Sequence, residues 1–293
     1  MSTGKIYQSL SGFYDVYSDG KIYRTRARGN FRQKKIKPIV GDSVTFDHDY
    51  LLGVKPRHNR LQRPPVANVD QAIVVTSVDD PSFSSGLLDR QLIALEFQHV
   101  KPLIYFSKMD RLKPAAQARF LHVAEYYHRI GYDVFIPKRA FCPKTLDLLK
   151  NHLTGAETVV MGQTGVGKSS LLNHLKPGLN LKTGLVSKSL HRGKHTTRRV
   201  HLIVINQGLV ADTPGFSSYE VLAIDIYHLK NYFPEFVRAS AHCKFRECLH
   251  FQEPHCAVKQ LVKSGKIMKS RYQTYLHLFD LIKHRKPMYH HSN

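Results

Sequence analysis

The first 63 residues carry short runs in which apolar and polar positions alternate, broken by glycine, aspartate and serine. Alternation of period two predicts strands at Lys5–Leu10, Phe13–Tyr17, Ile22–Arg28, Ser43–Phe46 and Leu51–Lys55. Asp19-Gly20 is a hairpin signal between two of them. Several short strands at close spacing suggest a small barrel of the oligonucleotide-binding (OB) type. After the stiff junction Arg63-Pro64-Pro65 the pattern changes. Continuous apolar runs now alternate with helical periodicity: strand Val69–Val78, helix Leu87–Gln98, strand Lys101–Phe106, helix Ala115–Ile130, strand Tyr132–Ile136 and helix Thr145–Leu153. Fully apolar strands are buried on both faces, so this is α/β with a mainly parallel sheet. Beyond Ile224 the strand signals stop, and one basic helix is expected over Ala257–Lys286. Three units follow: a barrel at 1–63, an α/β domain at 64–224 and a mostly helical module at 225–293.

The chemistry concentrates at the strand ends. Glu157–Met161 reads as a buried strand, and Gly162-Gln163-Thr164-Gly165-Val166-Gly167-Lys168-Ser169 follows at once. This is the phosphate-loop pattern G-x-x-x-x-G-K-[ST]. Its glycines let backbone N–H groups wrap a phosphate, Lys168 is placed for the β- and γ-phosphates, and Ser169 for Mg²⁺. Helical spacing from Ser170 points a helix N-terminus at the same phosphates. Asp212, at the end of the strand candidate Leu209–Ala211, is a second Mg²⁺ group, and Gly215 has an N–H for the γ-phosphate. The stretch from Gly178 to Arg199 reads as a mobile basic loop. Thr196 or Thr197 in it would reach Mg²⁺ and make it a nucleotide-dependent switch, the alternative being a solvated basic loop. Phe216 stands where a GTPase often has the glutamine that orients the attacking water. Slow intrinsic hydrolysis is therefore expected, with help from His195 or from a partner.

Ser107-Lys108-Met109-Asp110 ends the strand candidate Leu103–Phe106. An aspartate there accepts from guanine N1 and N2, and adenine offers no such donor pair. Ser107 replaces the commoner Asn or Thr, and Pro137-Lys138-Arg139-Ala140 has no assigned contact. The motif precedes the phosphate loop, whereas in an ordinary GTPase it follows.

Cysteine usage and charge complete the picture. Cys243, Cys248, His250 and Cys256 form C-x4-C-x-H-x5-C, a donor set suited to structural tetrahedral Zn²⁺. His255 competes as a ligand, and a disulfide plus a free thiol is the alternative; Cys142 stands alone. No secretory signal is evident at the N-terminus, so a reducing, cytoplasmic setting is expected, which disfavours the disulfide. Net charge is +22, from 44 basic and 22 acidic residues, and each of the three units is positive. A field of one sign over every unit suggests a polyanion, most simply RNA. In the first unit Tyr14, Tyr17, Tyr23 and Phe31 are interleaved with Arg24, Arg26, Arg28, Arg32, Lys34, Lys35 and Lys37, a stacking and phosphate pattern, with about half of the aromatics expected in the barrel core. An anionic membrane is the rival partner, but no apolar run approaches a span.

The order SKMD, GQTGVGKSS, KHTT, DTPGF, then the cysteine cluster, together with Asn68-Val69-Asp70-Gln71 and Leu88-Asp89-Arg90, resembles the bacterial ribosome small subunit-dependent GTPase A family, which are circularly permuted GTPases. The resemblance covers the whole chain. It implies GTP hydrolysis with Mg²⁺, stimulated by the small ribosomal subunit, in late maturation of that subunit and its rRNA. It also implies one structural zinc at the four ligands named. A monomer that binds GTP and GDP is expected, and the alarmone (p)ppGpp is a candidate competitor with GTP that no residue identifies. Two rival functions stay open: a zinc-containing RNA-binding protein with a regulatory nucleotide site, and an ATP-using phosphotransferase.

Overall fold

The structure is a computed structural model that describes residues 1–33, 35–62, 65–181, 200–212 and 223–285. The five N-terminal strands are β1 (Ser2–Leu10), β2 (Phe13–Ser18), β3 (Lys21–Ala27), β4 (Ser43–Asp47) and β5 (Tyr50–Val54), with a single helical turn, α1 (Asn30–Gln33), between β3 and β4. Strand β1 pairs with both β2 and β4, and β3 pairs with β5, so the sheet closes on itself. Closure removes exposed edges. Ile6, Val16, Val44, Phe46 and Leu51 fill the interior. The Asp19-Gly20 hairpin has positive φ at both residues (48° and 79°), the primed turn that matches strand twist.

A two-residue ribbon, β6 (Arg60–Leu61) with β7 (Val66–Ala67), leads out of the barrel. The second unit is a sheet ordered β10-β9-β8-β11-β13-β12. Its strands are β8 (Gln71–Ser77), β9 (Lys101–Ser107), β10 (Asp133–Phe135), β11 (Glu157–Met161), β12 (His201–Ile205) and β13 (Gly208–Asp212). All pair in parallel except β12, which is antiparallel to β13. Helices α2 (Ser85–Phe97), α3 (Pro114–Arg129), α4 (Pro143–Leu153) and α5 (Lys168–Leu175) cover it. The expected helix after the phosphate loop thus begins two residues earlier, at Lys168. Strand β12 has no counterpart in the sequence expectation. It also carries the link to the barrel, because Gln8 of β1 pairs with His201 and makes barrel and central sheet continuous.

Among its described residues the third unit holds a short 3₁₀ turn and three helices: α6 (Pro234–Ser240), α7 (Ala257–Lys263) and α8 (Lys269–Lys283). The single helix expected over 257–286 is two helices. Gly265 sits at φ +73° between them, a left-handed position that ends α7. Phe233, Phe236, Tyr275 and Leu278 pack together with Ile93 of α2, so this core crosses onto the α/β unit. Among the described residues no helix is long and apolar enough to cross a membrane.

Candidate functional site

Parallel strands present their C-terminal ends as a common rim, and ligands of open α/β sheets lie there. Gly162 follows β11 on that rim, with φ +141°. A Cβ on it would stand 2.1 Å from the Val75 carbonyl oxygen of β8. Only glycine permits this approach. Gly162→Ala is expected to cost about 1–3 kcal/mol in backbone strain alone and to abolish nucleotide binding, read as a lowered urea midpoint and lost GDP titration heat. Val166 is buried and pins the middle of the loop to the core under α4 and α5. Lys168 Nζ donates to the carbonyls of Gly162 and Gln163 at 2.8 Å each, so the ammonium is held inside the loop. Thr164 and Gly165 are exposed, while Ser169 and Ser170 are half-buried on the first turn of α5.

The segment Ser107–Asp110 meets this loop directly. Ser107 Oγ donates to the Val166 carbonyl at 2.7 Å, and Lys108 Nζ to the Gly165 carbonyl at 2.8 Å and to the Asp80 carbonyl. Lys108 adopts φ +64°, which turns the chain sharply off β9. Met109 is buried as the anchor of the next turn, and Asp110 beside it is exposed on the pocket rim. A cavity of about 140 Å³ lies between the two segments, lined by Ser107, Lys108, Asp110, Phe141, Val166 and Ser170 among others. Ser107 therefore ties the turn at 107–110 to the glycine-rich loop at 162–169 through its hydroxyl.

The cysteine cluster forms a second centre. The ligand atoms of Cys243, Cys248, His250 and Cys256 all lie within 4.8 Å of one another. His250 Nδ1 is 3.7 Å from Cys243 Sγ and 3.3 Å from Cys256 Sγ. Its Nε2 sits 3.0 Å from Ser240 Oγ, which itself donates to the Phe236 carbonyl. Ser240 Oγ then accepts from Nε2–H, leaving the Nδ1 lone pair for a metal. Burial, with Lys230 nearby, pushes His250 down to about 4, so the imidazole is neutral as a ligand must be. Three thiols and one neutral imidazole fit a closed structural Zn²⁺ site. His255 is exposed and outside the cluster. The knuckle is fastened by Glu253, whose carboxylate accepts from the N–H of Leu249 (2.6 Å) and of Phe251 (2.8 Å).

A third cluster joins the two units. Arg271 of α8 is wholly buried. It donates to Asp89 of α2 and to Glu235 of α6, each at 2.8 Å. Tyr127 gives its hydroxyl proton to the same Asp89 oxygen at 2.8 Å, and the guanidinium lies 4.6 Å from the Phe233 ring centroid. The two carboxylates hold the Arg271 guanidinium well above its ordinary value, against the pull of burial.

This architecture has known relatives. The RsgA GTPase family model matches residues 54–222, and the RsgA N-terminal domain model matches residues 3–50. The small ribosomal subunit biogenesis GTPase RsgA 1 of Lactiplantibacillus plantarum is 54% identical, over 99% of both chains. The RsgA of Limosilactobacillus reuteri is 56% identical, again over 99% of both. The chain belongs to the RsgA GTPase family. The solved structure of YloQ, described as a circularly permuted GTPase, superposes with TM-score 0.83 at 42% identity, covering 99% of this chain and 97% of that one. YjeQ from Thermotoga maritima gives 0.82 at 31% identity, covering 97% and 99%.

The Ser107–Asp110 segment, the candidate base reader, precedes the glycine-rich loop in sequence and meets it in space. Thr196, Thr197, His195, Gly215 and Phe216 lie outside the described residues, and of Asp212 the structure places the backbone at the end of β13. On the barrel, Phe31 is core, Tyr14 and Tyr17 are half-buried, and Tyr23 is exposed. Arg26 stands 4.4 Å from the Phe13 ring centroid and Arg28 5.7 Å from that of Tyr50, so cations and rings share one exposed face. Two residues that sequence reasoning passed over come forward. In the sequence Asp89 reads only as part of a motif, and Phe141 carries no signal of its own. A buried carboxylate and a ring on a pocket wall leave no local periodic signal.

Proposed function

We propose that this chain hydrolyses GTP and acts in late maturation of the small ribosomal subunit, binding that subunit and its rRNA and leaving after hydrolysis. One observation supports this above the rest: the Ser107 and Lys108 side chains bond to carbonyls of the phosphate loop, building one pocket from two segments in permuted order. In this reading Asp110 selects guanine. Backbone N–H groups of residues 162–170 and Lys168 hold the phosphates, with the α5 N-terminus aimed at them. Mg²⁺ bound with GTP would neutralise charge on the β- and γ-phosphates, and Ser169 and Asp212 are the residues to hold it. Thr196 and Thr197 are assigned to the switch, Gly215 to the γ-phosphate, and His195 is the chain's own candidate to position water. The units are the barrel at 1–63, the GTPase domain at 64–224 and the zinc module at 225–293. We further assign the protein to the cytoplasm as a monomer, with (p)ppGpp competing at the same pocket.

Release has two routes out of the nucleotide site. Strand β12 begins just beyond the predicted switch and pairs with barrel strand β1, and Lys5 of the barrel forms an ion pair with Glu157 of β11. On the other side Arg271 fastens the zinc module to α2. Rearrangement on γ-phosphate loss would thus reach both RNA-facing units.

Turnover of GTP and ATP, with and without isolated small subunits, tests the reading. A GTP-specific rate that rises strongly with subunits is expected. A rate indifferent to subunits would favour an RNA-binding protein with a regulatory nucleotide site, and a preference for ATP would favour a phosphotransferase. Asp110→Asn should exchange guanine for xanthine, lowering GTP affinity at least tenfold, as expected for a lost charge-assisted pair of about 1.5–3 kcal/mol, while xanthosine triphosphate gains. Equal binding of the GTP-analogue and GDP forms to the small subunit would rule out the release mechanism.

A further inference from the structure

The cavity beside Asp110 has one wall that the guanine-nucleotide reading leaves unused. Phe141 follows β10 in the connection to α4 and reaches the cavity with Pro137 and Ala140. Its φ is +52°. A bulky side chain in the left-handed region is a backbone outlier, and such strain persists only where the surroundings hold it. The Phe141 ring lies flat on the His174 ring, centroids 3.8 Å apart and planes 9° apart. His174 is on α5, the phosphate-loop helix, with Nδ1 2.7 Å from the Ser170 carbonyl one turn earlier. Ser170 lines the cavity too. The turn before α4 is closed by Cys142 N–H on the Arg139 carbonyl at 3.2 Å. A half-buried aromatic ring, stacked from behind by a helix that also carries the phosphate loop, thus faces a slot bounded by Lys108 and Asp110.

We propose that Phe141 is the aromatic wall against which the base of a bound nucleotide lies, and that His174 holds this wall in place. The proposal rests on the guanine-nucleotide reading above and deepens it. Every base has a π-face, so the wall adds affinity without adding guanine selectivity, which stays with Asp110. It also gives the Pro137–Ala140 stretch a purpose: it sets the turn that delivers Phe141 to the slot. Phe141 is thus a binding residue that touches the base, and His174, which acts through it, is a positioning residue.

The test is calorimetric titration of the zinc-loaded full chain with GDP, and with inorganic tripolyphosphate, which carries phosphates but no base. Phe141→Ala should weaken GDP roughly tenfold, as loss of one aromatic–base stack does. Phe141→Leu, which keeps apolar bulk in the turn, should show the same loss, and Phe141→Tyr should stay within about twofold of the parent. His174→Ala should fall between. Tripolyphosphate affinity should be unchanged throughout. GDP affinity unaltered in both the Ala and Leu variants overturns the wall, as does an equal loss for tripolyphosphate, which would mark a structural role for the turn. Failure of the parent chain to bind GDP overturns the nucleotide reading itself, and the wall with it.

Discussion

Arg271→Met should destabilise the union of zinc module and α/β unit by about 3–5 kcal/mol, the usual cost of removing one partner from a buried ionic cluster. The reason lies in what remains. Asp89 and Glu235 would stand buried without their common cation, and each already has one carboxylate oxygen with no hydrogen-bond partner among the described residues. Hydrogen exchange should then accelerate in α2, α6 and α8 together, since the cluster is the joint among them. A compensated variant sharpens the test. Replacing Arg271, Asp89 and Glu235 together by apolar residues of similar volume should recover most of the loss, because well-packed apolar groups commonly match or exceed a buried ion pair. The urea midpoint at fixed zinc concentration is the measurement. A single variant within about 0.5 kcal/mol of the parent would show that the cluster does not hold the joint. If the cluster also transmits nucleotide state, the compensated variant should fold well yet lose the difference in subunit binding between GTP-analogue and GDP forms.

Zinc removal should have the second large effect. Structural zinc supplies about 10–16 kcal/mol of apparent binding energy in small metallodomains, and the 243–256 knuckle has no regular secondary structure of its own. Chelation, or Cys248→Ser, is expected to unfold this knuckle and unseat α8, whose Tyr272 hydroxyl donates to the His250 carbonyl at 2.7 Å. Binding to the small subunit should be lost. GDP binding should survive, because the phosphate loop takes its contacts from β8, β9 and α5. Metal analysis should find one zinc per chain, and Ser240→Ala should lower zinc affinity about 10–100-fold by freeing the His250 ring. Burial pushes the Cys248 thiol up to about 12 without metal. Loading at neutral pH must therefore release protons, and affinity must fall as pH falls. A chain with no zinc, or one whose 243–256 segment resists a chelator, would contradict this account.

The sequence alone made legible the barrel strands, the α/β alternation, the phosphate-loop pattern, the candidate base-reading motif and the four candidate zinc ligands. These features depend on neighbours along the chain: a period of two or 3.6, glycines where the backbone must turn, cysteines at knuckle spacing. Their permuted order was equally plain, since order is a property of sequence. Tertiary structure decided how the pieces meet. Ser107 looked like a departure from the usual motif, and only its distance to Val166 gives it a task. Arg271 and Asp89 are 182 residues apart, and in a chain of net charge +22 a buried arginine reads like any surface one. Strand β12 is recognisable chiefly by its two partners, β13 and barrel strand β1. Phe141 lies in the connection before α4 and His174 on α5, and their stack exists only because the sheet brings the start of α4 beside α5. Local propensity is written in local order, whereas burial, pairing and the sharing of a pocket are written in the folded neighbourhood.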